Sequence, residues 1–463
     1  MKNQKILYIS FITLIVLVLA QCTTDEPLFF SEEGEELSGG QGTVFNISAN
    51  AFSFQVPNLD DQNGLLFFTG NSLFNQNWVS SPASTGARDG LGPLFNARSC
   101  SGCHFKDGRG RPPEYVGERV HGMLIRLTTD NDIYMGPTPD PNYGGQLQDL
   151  AIQGFLAEAD FGITYQEIDG TYPDGTSYSL RKPTYNIFNL REGNLTATHF
   201  SPRVANHMVG LGLLEAVEAS TLLMYADEND ADGDGISGRP NYVWNVLEQT
   251  NTIGRFGWKA NQPTVRQQVA GAFSGDMGLT TSIFPNHNCP PSVNCDTIPN
   301  GGTPEVDEEA LDRITIYSST LAVPGRRDWE NQDVLQGKIL FNEINCSSCH
   351  IPKMTTGSHP IEALANQTIR PYTDLLLHDM GDELADNSGD FLATGNEWRT
   401  PPLWGIGLFD IVNKHTYYLH DGRARNLEEA ILWHGGEAEA SKEAFMNLTS
   451  IERGYLIQFL ESL

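Results

Sequence analysis

The chain has 463 residues, 39% of them hydrophobic, which is enough to bury two ordinary cores. Its 29 Lys and Arg stand against 58 Asp and Glu, a formal net charge of −29. That field excludes nucleic acid and anionic membrane surfaces as partners and suits a basic protein.

In chain order, Lys2 and Lys5 precede an apolar run from Ile6 to Ala20, too short for a comfortable membrane span. Residues 1–22 therefore read as an export signal. Leu19-Ala20-Gln21-Cys22 has the form of a lipobox, with Gln21 where a small residue is expected, so lipidation of Cys22 and plain cleavage both stay open. Export places the mature protein in the periplasm or lipid-anchored at the outer membrane or cell surface. Residues 23–60, rich in Gly, Ser, Asn and acids, read as a linker. A break near Val323-Pro324-Gly325 divides the rest into an N-terminal domain, 61–328, and a C-terminal domain, 329–463. Within the first, residues 120–185 mix β-like runs (Gly122 to Leu127, Tyr178 to Lys182) with the turn Pro173-Asp174-Gly175. Helices are expected over Val204–Tyr225, Asp333–Phe341 and Ser450–Leu463, the last with Ile451, Tyr455 and Phe459 facing the core. The expected fold is thus mainly α, two c-type cytochrome domains, the first carrying a β-containing insertion.

Two CxxCH motifs carry the chemistry: Cys100-Ser101-Gly102-Cys103-His104 and Cys346-Ser347-Ser348-Cys349-His350. Each supplies two thiols for the vinyl groups of a porphyrin and an adjacent imidazole for its iron. The competing reading is a zinc site built from two CxxC pairs, but zinc has no need of a His after both pairs. Two covalent haems c are expected. Of the remaining cysteines, Cys289 and Cys295 sit in the short loop NCPPSVNCD, where an exported protein would form a disulfide. Asp230, Asp232 and Asp234 alternate ahead of Gly235, a spacing that gathers carboxylates around calcium. The twelfth position from Asp230 is Asn241 rather than Glu, which disfavours an EF-hand.

Longer segments carry a family resemblance. GKILFNEINCSSCH, YTDLLLHDMG, RTPPLW and YYLHDGRARNLEEAILWH, in that order, resemble the C-terminal domain of bacterial di-haem cytochrome c peroxidases and their MauG-like relatives. DGLGPLFNARSC, SPRVANHMVGLGLLEAV, DADGDGISGRPNYVWN and GRFGWKANQPTVRQQVAGAF resemble the di-haem oxidoreductase family, often called thiol oxidoreductases. The similarity runs from about residue 60 to the C-terminus.

The resemblance implies roles. The second axial ligand of the C-terminal haem falls at His434, fourteen residues beyond His420, with Met380 as its rival. Trp258 would stand between the haems, Gln268 in the distal pocket, and Asp276 where the peroxidases carry a catalytic Glu. His207 could ligate the distal face of the first haem or be structural. Three activities follow as candidates: reduction of hydrogen peroxide with electrons from a protein or small donor, MauG-like oxidation of a protein substrate, and electron carriage without catalysis. Once haem holds both CxxC pairs, none remains for thiol exchange.

Overall fold

Each CxxCH motif is preceded by a helix that crosses a later helix at close range. Asp60 caps the first, Asp61–Asn75, by accepting from Asn63 N at 2.9 Å. Its buried face, Gly64, Phe67, Gly70 and Phe74, recurs at helical spacing and packs on Glu308–Ser319. Gly70 permits that approach, because a Cβ there would stand 2.1 Å from the Arg313 carbonyl oxygen. The second, Gln332–Glu343, packs the same way on Ser450–Ser462, where a Cβ on Gly337 would meet the Tyr455 carbonyl oxygen at 2.0 Å. The buried face of that last helix is Arg453, Leu456, Phe459 and Leu460; Ile451, expected inside, is 65% exposed.

The computed structural model describes residues 30–463 apart from 116 and 119–121, so the export signal, Cys22 and the start of the expected linker lie outside it. No helix among the described residues is long and apolar enough to cross a membrane.

The expectation of a mainly α fold is overturned. Helix makes up 28% of the structure and strand 20%, in many small sheets. The reason lies in long-range pairing. Met123–Thr128 pairs antiparallel with His199–Val204, and Asp160–Thr171 with Ser177–Phe188. In the first pair Met123, Ile125 and Leu127 share one buried face, whereas the long hairpin buries only Gly162, Ile163, Leu180 and Arg181. Val204–Tyr225 is not one helix either. It leaves a strand at Val204, turns through Gly210 at φ +72° against Trp404, and continues as two short helices, Leu211–Glu215 and Ala219–Leu223. Asp333–Phe341 lies within a helix as expected.

The insertion does not project as a free arm. Its long hairpin is tied to the C-terminal half by Arg453 Nη2 to Asp174 (2.7 Å), Tyr172 OH to Glu428 (2.6 Å) and Arg181 Nε to the Arg423 carbonyl (2.9 Å). Residues 30–60 also pack. Glu35 pairs with Arg326 and Lys338, Phe52 and Val56 are buried, and Thr43–Val44 runs parallel to Val323–Pro324. One cluster of buried hydrophobic residues consequently runs from Ala51 to Leu463 through both halves of the chain. Cys289 and Cys295 form the expected disulfide.

Candidate functional site

Cys100–Cys103 is a single helical turn, closed by His104 N donating to the Cys100 carbonyl at 2.9 Å. Cys346–Ser348 makes the tighter equivalent, with His350 N donating to the Cys346 carbonyl at 3.0 Å. One turn thus brings two thiols and an imidazole to the rim of a single cavity, twice. All four thiols are free. Burial pushes Cys100 and Cys346 up to about 12 and raises Cys103 and Cys349 as well, so none is a thiolate at neutral pH.

The first cavity holds Cys100, Cys103 and His104 in its lining, the second Cys346, Cys349 and His350. They enclose about 1720 and 1500 Å³ respectively, counting their open mouths. Asn206, His207, Trp258, Arg399 and Pro402 line both, so the two cavities share a wall.

The donor sets fit haem. His104 Nδ1 donates to the Asn206 carbonyl at 2.7 Å, and His350 Nδ1 to the Tyr372 carbonyl at 3.0 Å. Fixing Nδ1 on a backbone oxygen leaves Nε2 as the ligand nitrogen, the arrangement metal-binding imidazoles adopt. Burial lowers both, His350 to about 4, which keeps them neutral and able to ligate. His434 repeats the device, its Nδ1 donating to the Ala430 carbonyl at 2.7 Å, and it lines the His350 cavity near enough for its charge to be felt at His350. Met380 lines the same cavity. Among the described residues no Cys and His set converges as a zinc centre would.

The structure brings Trp258, Gln268 and Asp276 to the His104 cavity. Trp258 sits in the shared wall, its Nε1 donating to the Val204 carbonyl at 2.8 Å and its ring edge-on to His420 at 6.5 Å. Gln268 and Asp276 lie on one helix, Val265–Met277, capped by Thr264. Gln267, the neighbour of Gln268, is a buried clip that accepts from Val246 N and donates to the Trp244 carbonyl. Gln268 is the one that lines the cavity. The Asp276 carbonyl accepts from Asn96 N and Ala97 N (2.8 and 3.1 Å), which ties that helix to the approach of the first CxxCH motif. Its carboxylate accepts from Gln146 Nε2 at 2.8 Å. Burial raises this carboxyl, although Arg126, Gln146 and His104 oppose the shift.

His207 lines both cavities, and the Asn206 carbonyl just before it accepts from His104 Nδ1. Burial lowers His207 to about 3, and its Nε2 has no hydrogen-bond partner among the described residues.

Several contributors were not foreseen. His378 lies between Asp374 (2.8 Å) and Glu437 (2.7 Å), 3.5 Å from Cys349 Sγ. Burial works against its charge, but Asp374, then Cys349 and Glu437, raise it well above an ordinary imidazole. In the acidic loop the carboxylates that converge within 4.8 Å are Asp227, Asp230 and Asp232. Asp234 instead accepts from Ile236 N at 2.8 Å. Asp227 heads the same acidic run, DENDADGDG, so its type was visible and only its reach was not.

A family model described as "Di-haem oxidoreductase, putative peroxidase" matches residues 33–463. No curated protein and no solved structure matches the chain.

Proposed function

The chain belongs to the di-haem oxidoreductase family, and from that membership we propose that it reduces hydrogen peroxide in the His104 cavity with electrons passed from the His350 cavity. When bound, the two haems supply the iron redox chemistry for peroxide, two electrons and two protons to give two waters. Cys100 and Cys103 would hold one haem by thioether bonds and His104 its iron; Cys346, Cys349, His350 and His434 would hold the other.

The observation that carries the reading is the meeting of Asp276 and Gln268 on one cavity wall with Trp258 beside them. A carboxyl raised by burial keeps its proton nearer neutral pH, so Asp276 can take a proton from one peroxide oxygen and return it to the departing one. The Gln268 amide orients the peroxide by hydrogen bonding. Trp258, pinned at both its Nε1 and its carbonyl, gives the two cavities a fixed aromatic bridge. We also propose a structural calcium ion at Asp227, Asp230 and Asp232, the first in place of the expected Asp234.

Asp276→Asn is expected to slow peroxide turnover at least ~100-fold, the low end for one positioned acid–base group, with both haem spectra unchanged. Trp258→Phe should leave the first reaction with peroxide intact and slow re-reduction. Absence of turnover in the half-reduced wild type would leave an electron carrier and remove the roles of all three residues.

A further inference from the structure

Burying a charge without a counter-ion is costly, so interior arginines normally draw in a carboxylate. This chain has acids in excess, 58 against 29 bases, and most of its buried cations conform. Arg203 pairs with Asp386 and Asp390, Arg326 with Glu35, Arg423 with Asp421, and Lys259 with Asp386. Three form no ion pair with any described residue. Arg181, 7% exposed, is satisfied by the Arg423 and Gly422 carbonyls and by stacking on Tyr165 and Tyr417, and it lines neither cavity. The others are Arg109, 6% exposed, and Arg399, 5% exposed.

Their hydrogen bonds are incomplete too. Arg109 donates through Nη2 to the Leu419 carbonyl, but its buried Nε has no acceptor among the described residues. Arg399 donates through Nε to the Gly257 carbonyl (2.8 Å) and through Nη1 to the Thr400 carbonyl (3.2 Å), leaving Nη2 without a bond to any described residue. Burial lowers each guanidinium to about 10, a shift that Tyr418 and Asp421 offset only in part at Arg109 and Asp374 only in part at Arg399.

Their positions supply the missing partner. Arg399 lines both cavities and Arg109 the His350 cavity, its guanidinium 5.0 Å from the ring of Trp258 in the shared wall. Each haem carries two carboxylates, and a guanidinium is the side chain that binds a carboxylate through a planar fork. We infer that Arg399 and Arg109 form a carboxylate-binding cradle for haem propionates, with Arg399 serving both haems from the wall between them. The inference rests on the two-haem reading and adds a consequence: the two irons share one cation and are electrostatically coupled through it.

The test is spectroelectrochemistry on holoprotein whose haem content is measured first. Removing a cation beside an iron favours the ferric form, so Arg399→Gln should lower both reduction potentials. A tenfold shift in each one-electron equilibrium, ~59 mV, is expected. Arg399→Lys keeps the charge but loses the bonds to Gly257 and Thr400, and should retain most of both potentials. Arg109→Gln should lower the potential of the His350 haem alone. If Arg399→Gln does not accumulate as holoprotein, the other two variants decide. Unchanged potentials, or an Arg399→Lys variant that falls as far as Arg399→Gln, would overturn the cradle. A wild type with fewer than two haems per chain would instead overturn the two-haem reading beneath it.

Discussion

His104, His350 and His434 share one device, a ring whose Nδ1 is spent on a backbone carbonyl so that Nε2 alone is left to ligate. Met380 has only its place in the cavity lining to recommend it, and a thioether there also serves as packing against the cluster of Met123, Val204, Trp258 and Trp398. His434→Ala should therefore convert the C-terminal haem from low to high spin while Cys346 and Cys349 retain it. Optical or EPR spectra of His434→Ala and Met380→Ala check this; a spin change in the methionine variant alone would reverse the assignment. The candidate ligands and the Trp258, Gln268, Asp276 set were legible in the sequence because each lies in a motif of recognisable order. Arg109 and Arg399 were not, because an arginine in a sequence carries no mark of burial.

At the scale of elements, the acidic loop shows how backbone curvature selects ligands. Asp230 takes φ +48°, Gly233 +77° and Gly235 +85°, which curls the loop so that Asp227 swings in and Asp234 turns back on Ile236 N. Without a cation the three converging carboxylates repel one another. Chelation should lower the thermal midpoint and calcium should restore it. An unchanged midpoint, with no metal by elemental analysis, would leave an acidic turn. The β hairpin teaches the complementary point. Its turn and strand runs were visible in the chain, but its docking on Glu428, Arg423 and Arg453 joins residues more than two hundred apart in sequence.

Across the whole molecule the net charge of −29 sets the terms for an electron donor. A field of that sign speeds the approach of a cationic donor, by ~10- to 1000-fold at low salt, and ions screen it. Raising ionic strength from 0.01 to 0.15 M shortens the screening length from about 30 to 8 Å. Turnover with a basic cytochrome should therefore fall steeply over that range, while turnover with a neutral small donor should not. Stopped-flow reduction rates with the two donors check this, and equal salt dependence would remove charge steering as a basis for partner choice.

The sequence by itself determined the two CxxCH turns and the Cys289–Cys295 loop. In each, the reacting groups lie within a few residues, and chain geometry alone brings them together. Helices with a clear apolar face, such as Gln332–Glu343, were legible for the same local reason. Only the tertiary structure decided that helix and strand share the fold, that the cavities meet at Trp258 and Arg399, and that Arg109 and Arg399 line them without an ion pair to any described residue. Strand pairing, burial and charge neutralisation all depend on which distant residues come into contact, and no local pattern encodes that.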